Sequence, residues 1–276
     1  MTTLVLGTAQ WGHEYGVTNK RGRLSDTDLS EIVEEAKAQR IDKIDTARSY
    51  GYAESRLRKF AQNFTITTKV AGSIDIASQI QASMANLGVS DIDTLLIHDW
   101  HKLNAQQQTD AARGLGEAIE VGSVVRVGVS IYEESEIMSA ADVFASQDIV
   151  LGALQVPANA IDRRLDESAA LGDLRSAGAH ITVRSAFLQG VLLADSGRWS
   201  DHPDVRAFHE ASAKIGALRS CLGHVRGLSW ATHVVIGVTN AHELAAACHA
   251  WDSTEPELLP EELASSDRKL LDPRLW

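Results

Sequence analysis

A chain of 276 residues, 44% of them hydrophobic, has enough apolar material for a sizeable core, and (β/α) barrels of roughly 250 residues fold as one unit. Its net charge of −11 argues against a nucleic-acid or anionic-membrane surface, since both need clustered Lys and Arg. No apolar run approaches the ~20 residues that span a bilayer, and the two cysteines, Cys221 and Cys248, lack metal-ligand spacing, so reduced thiols are expected.

The start, Met1-Thr2-Thr3-Leu4-Val5-Leu6-Gly7, enters a strand-like run without the basic region and long apolar segment of a secretory signal, and a cytoplasmic location is expected. From there, short β-branched or aliphatic runs alternate with longer amphipathic segments, the pattern of repeated β–α units around a parallel sheet. The predicted strands are Leu4–Thr8, Lys43–Asp45, Thr65–Lys69, Thr94–Ile97, Val124–Ser130, Ala153–Val156, His180–Ser185 and His233–Ile236. Helices are predicted near 26–39, 53–60, 74–87, 105–120, 134–145, 166–177, 203–221 and 241–250. Ser25-Asp26-Thr27-Asp28 is a helix start signal, followed by Leu29, Ile32, Val33 and Ala36 at helical spacing. Ile80, Met84 and Leu87 form a similar stripe that stops at Gly88.

Eight strands each followed by a helix favour a (β/α)8 TIM barrel folded as a single domain over 1–276. A doubly wound dinucleotide sheet would carry a Gly-rich loop after its first strand, whereas Gly7-Thr8-Ala9-Gln10-Trp11-Gly12 lacks that spacing and is expected to enter a long polar loop and no helix. Segments 100–104 and 186–202 are expected as loops and 252–276 as a C-terminal tail.

In a parallel barrel the chemistry lies at the carboxyl ends of the strands. Asp45 ends the second predicted strand, Tyr50 follows in its loop, Lys69 ends the third and His98 follows the fourth. An ammonium beside a phenol favours the phenolate, so Lys69 is expected to lower the pKa of Tyr50 from its ordinary value near ~10. Asp45 would keep the buried lysine charged and placed, and His98 could orient and polarise a carbonyl oxygen. Taken singly, Asp45 serves as well as a turn cap, Lys69 as a salt-bridged strand end and His98 as a satisfied core histidine. Their joint placement on three neighbouring strands is what points to chemistry.

In these blocks the chain resembles the aldo-keto reductases, in particular a bacterial branch. Asp45-Thr46-Ala47 with Tyr50-Gly51 and Glu54, Thr67-Thr68-Lys69-Val70, and Leu95-Leu96-Ile97-His98 are similar to that family's catalytic blocks, and Leu6-Gly7-Thr8-Ala9-Gln10-Trp11-Gly12 is similar to its opening. The resemblance runs from Leu4 to about Ala250. It implies an NAD(P)H-dependent enzyme that interconverts an aldehyde, ketone or sugar carbonyl and its alcohol. Tyr50 would be the proton donor, Lys69 and Asp45 its tuning pair, and His98 the carbonyl-orienting group.

For the cofactor, NADP(H) is expected ahead of NAD(H). Ser130 and Gln155 would meet the nicotinamide, while Arg184 stands where many relatives place an aromatic ring against it. Ser185, Leu188 and Gly190 fall in a pyrophosphate-like loop, and Gly237, Thr239 and Glu243 in the last cofactor motif. Here Ile131 replaces a common asparagine, Thr239 stands where Arg, Lys or Ser is usual, Glu243 where Gln is common and Ala247 where Asn is. Trp11 and Trp100, with Tyr15 and Trp199, are expected as pocket walls over a small-molecule substrate.

Other readings use the same residues. His98-Asp99-Trp100-His101, joined by His13, offers ligands for a metal-dependent hydrolase, although its spacing is not a catalytic-zinc pattern. A reductase-like scaffold or regulatory subunit without useful turnover, and a lyase or isomerase step with Tyr50 and His98 as acid and base, are the alternatives to redox chemistry.

Overall fold

The computed structural model describes residues 2–73, 75–194 and 196–276. Eight parallel strands close into a barrel in chain order. They are β1 Thr3–Gly7, β2 Lys43–Asp45, β3 Thr65–Val70, β4 Ile92–Ile97, β5 Val124–Ser130, β6 Ala153–Pro157, β7 His180–Arg184 and β8 His233–Gly237. Strand β1 pairs with both β2 and β8, which closes the ring and excludes an open doubly wound sheet. Each predicted strand run overlaps one of these eight.

The helix that follows β1 and its loop, Asp26–Ala38, starts in the expected capping box. The Ser25 hydroxyl accepts from the Asp28 N–H at 3.1 Å, and the Asp28 carboxylate accepts from the Ser25 N–H at 2.9 Å. Leu29, Ile32, Val33 and Ala36 are buried against the barrel. The helix Ile76–Leu87 ends at Gly88, whose φ of 71° is the left-handed conformation that a helix terminator needs. Its expected start at position 74 lies outside the described residues, as do Met1 and Asp195 of the expected amino-terminal run and 186–202 loop.

Two helices are shorter than predicted, Ala53–Leu57 and Ala169–Ser176, and the helix expected over 203–221 is instead the pair Pro203–Ser212 and Ala217–Gly227. The pair is separated at Gly216, whose φ of 92° no right-handed helix accommodates. Two loop expectations also need correction. Ala9–Gly12 forms one helical turn directly after β1, packed so closely on the loop after β2 that a β-carbon on Gly12 would overlap the Tyr50 carbonyl oxygen. The segment 252–276 is no loose tail. Leu270 and Leu271 enter a second apolar cluster with Ala160, Ile161 and Leu188, and the chain returns to the barrel mouth at Pro273 and Arg274. Among the described residues, no helix is long and apolar enough to cross a membrane.

Candidate active site

Strand register explains why one cavity collects the polar residues. Side chains alternate across a strand, and partners in a parallel pair face the same way. Asp45 pairs with Thr67, so Lys69 two residues on shares its face. Lys69 pairs with Leu96, two residues before His98. Ser130 pairs with Gln155, Gln155 with Thr182, and Arg184 lies two residues beyond. Gly7 pairs with Asp45 on one side and Gly237 on the other. Asp45, Lys69, His98, Ser130, Gln155, Arg184 and Gly237 therefore all reach the carboxyl end of the barrel, where they line a cavity of about 970 Å³.

At its floor the Lys69 ammonium has three donors and three acceptors. It donates to Asp45 Oδ1 at 2.5 Å, to the Thr46 carbonyl at 3.0 Å and to the Tyr50 hydroxyl at 3.5 Å. The second Asp45 oxygen accepts from Gln155 Nε2 at 2.7 Å. With Lys69 and Asp45 both buried, this pairing is what keeps two charges tolerable away from water. Gly51, with φ of 58°, turns the chain just after Tyr50 and lets the phenol enter the cavity.

The expected lowering of the Tyr50 pKa is corrected by this geometry. Burial raises it, the Asp45 carboxylate raises it further, and the Arg184 guanidinium opposes both. The exposed part of Tyr50 faces the cavity, so the phenol is enclosed yet reachable. Lys69 is closest to Asp45, which offsets its charge, and burial pulls the lysine's own value down. Tyr50 is thus held protonated at neutral pH, the state a proton donor needs.

His98 is neutral for a similar reason. Burial, then the nearby charges of Lys69 and Arg184, hold its imidazole down at about 3. Its Nδ1 lies 2.9 Å from the Ser49 hydroxyl. If that hydroxyl donates, the ring proton is placed on Nε2, leaving a neutral imidazole with an available N–H. Its ring meets Tyr50 edge-on at 5.8 Å.

Across the barrel, Ser185, Gly190, Thr239 and Glu243 also line the cavity. Leu188 does not: its side chain is fully buried in the second apolar cluster, and its φ of 47° turns the backbone of the following residues toward the opening. The Glu243 carboxylate closes the amino end of the helix Ala241–Ser253. It accepts from the Thr239 N–H at 2.7 Å, the Thr239 hydroxyl at 2.8 Å and the Asn240 amide at 3.0 Å.

Trp11 and Trp100 are fully buried and stand outside the cavity. Trp11 packs edge-on against Phe60 and Trp100 tilts against Phe144; the apolar layer behind the strands takes both large rings. Trp199 packs on Trp276, while Tyr15 does line the cavity. His13 Nε2 contacts the Ser49 carbonyl, and among the described residues no group of three His, Cys, Asp or Glu gathers to hold a metal.

Gln10, Ser49, Tyr132 and Arg274 line the cavity without having been singled out from sequence. Tyr132 was discoverable: it lies two residues beyond Ser130 and keeps the inward alternation. Gln10 is buried, and its carbonyl oxygen has no partner among the described residues. It sits over Gly237, where a β-carbon would collide with the Gln10 side chain. That cradle at the cavity wall, where a buried acceptor has no partner among the described residues, suits the hydroxyl and amide donors of a dinucleotide.

The family model of the aldo/keto reductase family matches residues 3–261. The chain belongs to the aldo/keto reductase family. It is therefore an oxidoreductase of a family that uses nicotinamide cofactors to reduce carbonyl compounds. Among solved structures, an aldo-keto reductase from Bacillus halodurans, AKR11C1 in its holo form, matches with a TM-score of 0.74 at 16% identity, over 96% of this chain and 92% of that one. A glycerol dehydrogenase from Gluconobacter oxydans, AKR11B4, matches with a TM-score of 0.69 at 18% identity, over 94% and 88%. At such identities the likeness carries the aldo/keto reductase fold alone. No curated protein sequence matches the chain.

Proposed function

We propose that the protein reduces an aldehyde, ketone or sugar carbonyl at the floor of this cavity, with Tyr50 as proton donor and NAD(H) preferred to NADP(H). The observation that carries the chemistry is the Asp45–Lys69–Tyr50 arrangement beside a neutral His98. Ser130, Gln155, Gln10 and the Ser185–Gly190 loop would hold the cofactor, which supplies the hydride when bound.

The protein's own groups account for the proton. His98, with its proton on Nε2, donates a hydrogen bond to the carbonyl oxygen and polarises it. As negative charge grows on that oxygen, the Tyr50 hydroxyl transfers its proton there, and alcohol forms. The phenolate left behind lies 3.5 Å from Lys69 Nζ, a charge already in place and needing no rearrangement. Asp45 and Gln155 keep Lys69 from shifting.

The preference for NAD(H) departs from the expectation drawn from resemblance. Glu243 carries negative charge at the helix end that would otherwise attract a phosphate, and it already accepts from Thr239 and Asn240. A further phosphate on the adenosine ribose would meet like charge there. Fluorescence titration tests this reading. Tighter binding of NADH than NADPH is expected, and Glu243→Gln should improve NADPH affinity roughly 5-fold. Tighter NADPH binding by the unaltered protein would overturn the preference, and binding of neither would overturn the redox assignment.

A further inference from the structure

The chain carries 37 Asp and Glu against 26 Lys and Arg, yet its cavity has the opposite balance. Arg48, Lys69, Lys102, Arg184 and Arg274 line it, against the carboxylates of Asp45, Asp99 and Glu243. All three carboxylates are engaged by the protein. Asp45 holds Lys69, Glu243 holds Thr239 and Asn240, and Asp99 Oδ1 accepts from the Gly72 N–H at 2.9 Å.

Arg184, the last residue of β7, has no carboxylate within ion-pair distance among the described residues. Its Nη2 donates to the Ile131 carbonyl at 3.0 Å and its Nη1 to the Ser185 hydroxyl at 3.4 Å. The guanidinium carbon lies 3.9 Å from the centre of the Tyr132 ring, and that of Arg274 lies 3.5 Å from the same centre. Two guanidinium groups this close to one ring occupy opposite faces, so Tyr132 is clamped between them. Arg274 is neutralised by the buried Asp272, which it meets through Nε at 2.8 Å and Nη2 at 2.6 Å. Arg274 and Tyr132 thus fix the position of Arg184, whose charge stays uncompensated. It lines the same cavity as Tyr50 and His98, and its charge acts on both.

A half-buried guanidinium lacking a counter-ion is a ready acceptor of an anion, and its planar fork suits carboxylate or phosphate oxygens. We propose that the substrate is a small carbonyl compound bearing an oxyanion, carboxylate or phosphate, which Arg184 receives while the carbonyl faces Tyr50 and His98. The carbonyl part rests on the reductase reading; the anion site does not.

Calorimetric titration with malonate, inorganic phosphate and neutral malonamide, with and without saturating NADH, tests the site directly. At least one oxyanion should bind the unaltered protein and malonamide should not. Arg184→Gln should weaken that binding by about 10-fold or more, and Arg184→Lys should retain part of it. Malonate binding identifies a carboxylate site, and binding of phosphate alone a phosphate site. In turnover, succinic semialdehyde should exceed butanal, or glyceraldehyde 3-phosphate exceed glyceraldehyde, in kcat/KM, and Arg184→Gln should shrink that ratio. Equal binding of malonamide, or oxyanion binding unchanged in Arg184→Gln, overturns the proposal. So does loss of NADH binding in Arg184→Gln with oxyanion binding intact, which would assign Arg184 to the cofactor. Failure of the unaltered protein to bind any nicotinamide removes the reductase reading, and the malonate and phosphate titrations still decide the anion site.

Discussion

On the β2–β4 side of the cavity, Lys69 uses its three donors on Asp45, Thr46 and Tyr50, and His98 leans on Ser49. On the opposite side, Arg184 keeps its charge uncompensated and Gln10 keeps a buried carbonyl oxygen unpartnered among the described residues. On the first side Lys69 and His98 have their partners before anything binds, which is what preorganised proton transfer requires. The second side leaves its polar groups to be satisfied by a ligand, which is how a site gains affinity and selectivity.

The comparison breaks most severely at the completed side. Asp45→Asn should destabilise the fold by about 3–5 kcal/mol, since it leaves the buried Lys69 charge without its anion. Denaturant unfolding measures this, and an unchanged midpoint would mean that the pair is not held as described. Trp11→Ala should cost a similar ~3 kcal/mol or more through the void behind the strands, yet leave the KM for substrate near its original value. A large KM change with little loss of stability would place Trp11 in the pocket after all.

Ser49→Ala should have a smaller effect, lowering kcat about 10-fold while KM changes little, because His98 loses the partner that sets its tautomer. Ser49→Thr should restore much of the rate. The gentlest test is pH. With its imidazole held at about 3, against an ordinary value of ~6.5, His98 stays neutral across the physiological range. Its depressed value contributes stability that is present above pH ~6.5 and is lost as pH falls toward 3. Acid unfolding of His98→Asn should accordingly be shallower in that window. A kcat that follows an ordinary imidazole titration would contradict a neutral His98.

The sequence made the completed side readable because strands impose a period of two. Once Asp45, Lys69 and His98 were placed at strand ends, alternation alone carried them to one face. The same rule reaches Tyr132, two residues after Ser130. It does not reach residues in turns. Trp11 and Trp100 follow strands, like Tyr50 and His98, but which way a short turn directs a ring depends on the apolar layer waiting behind it, here Phe60 and Phe144. Arg274 lies beyond local pattern entirely, since its place in the cavity follows from Leu270 and Leu271 docking into a cluster distant in sequence. The division of the predicted helix over 203–221 had a local sign in Gly216, outweighed by the helical spacing around it.

The most direct test of the central claim is the reduction rate of Tyr50→Phe beside its binding of NADH. Removal of one hydroxyl should lower kcat by about 10²- to 10⁴-fold, the range of a lost general acid, with NADH affinity unchanged. A rate within a few-fold of the unaltered protein would contradict Tyr50 as the proton donor.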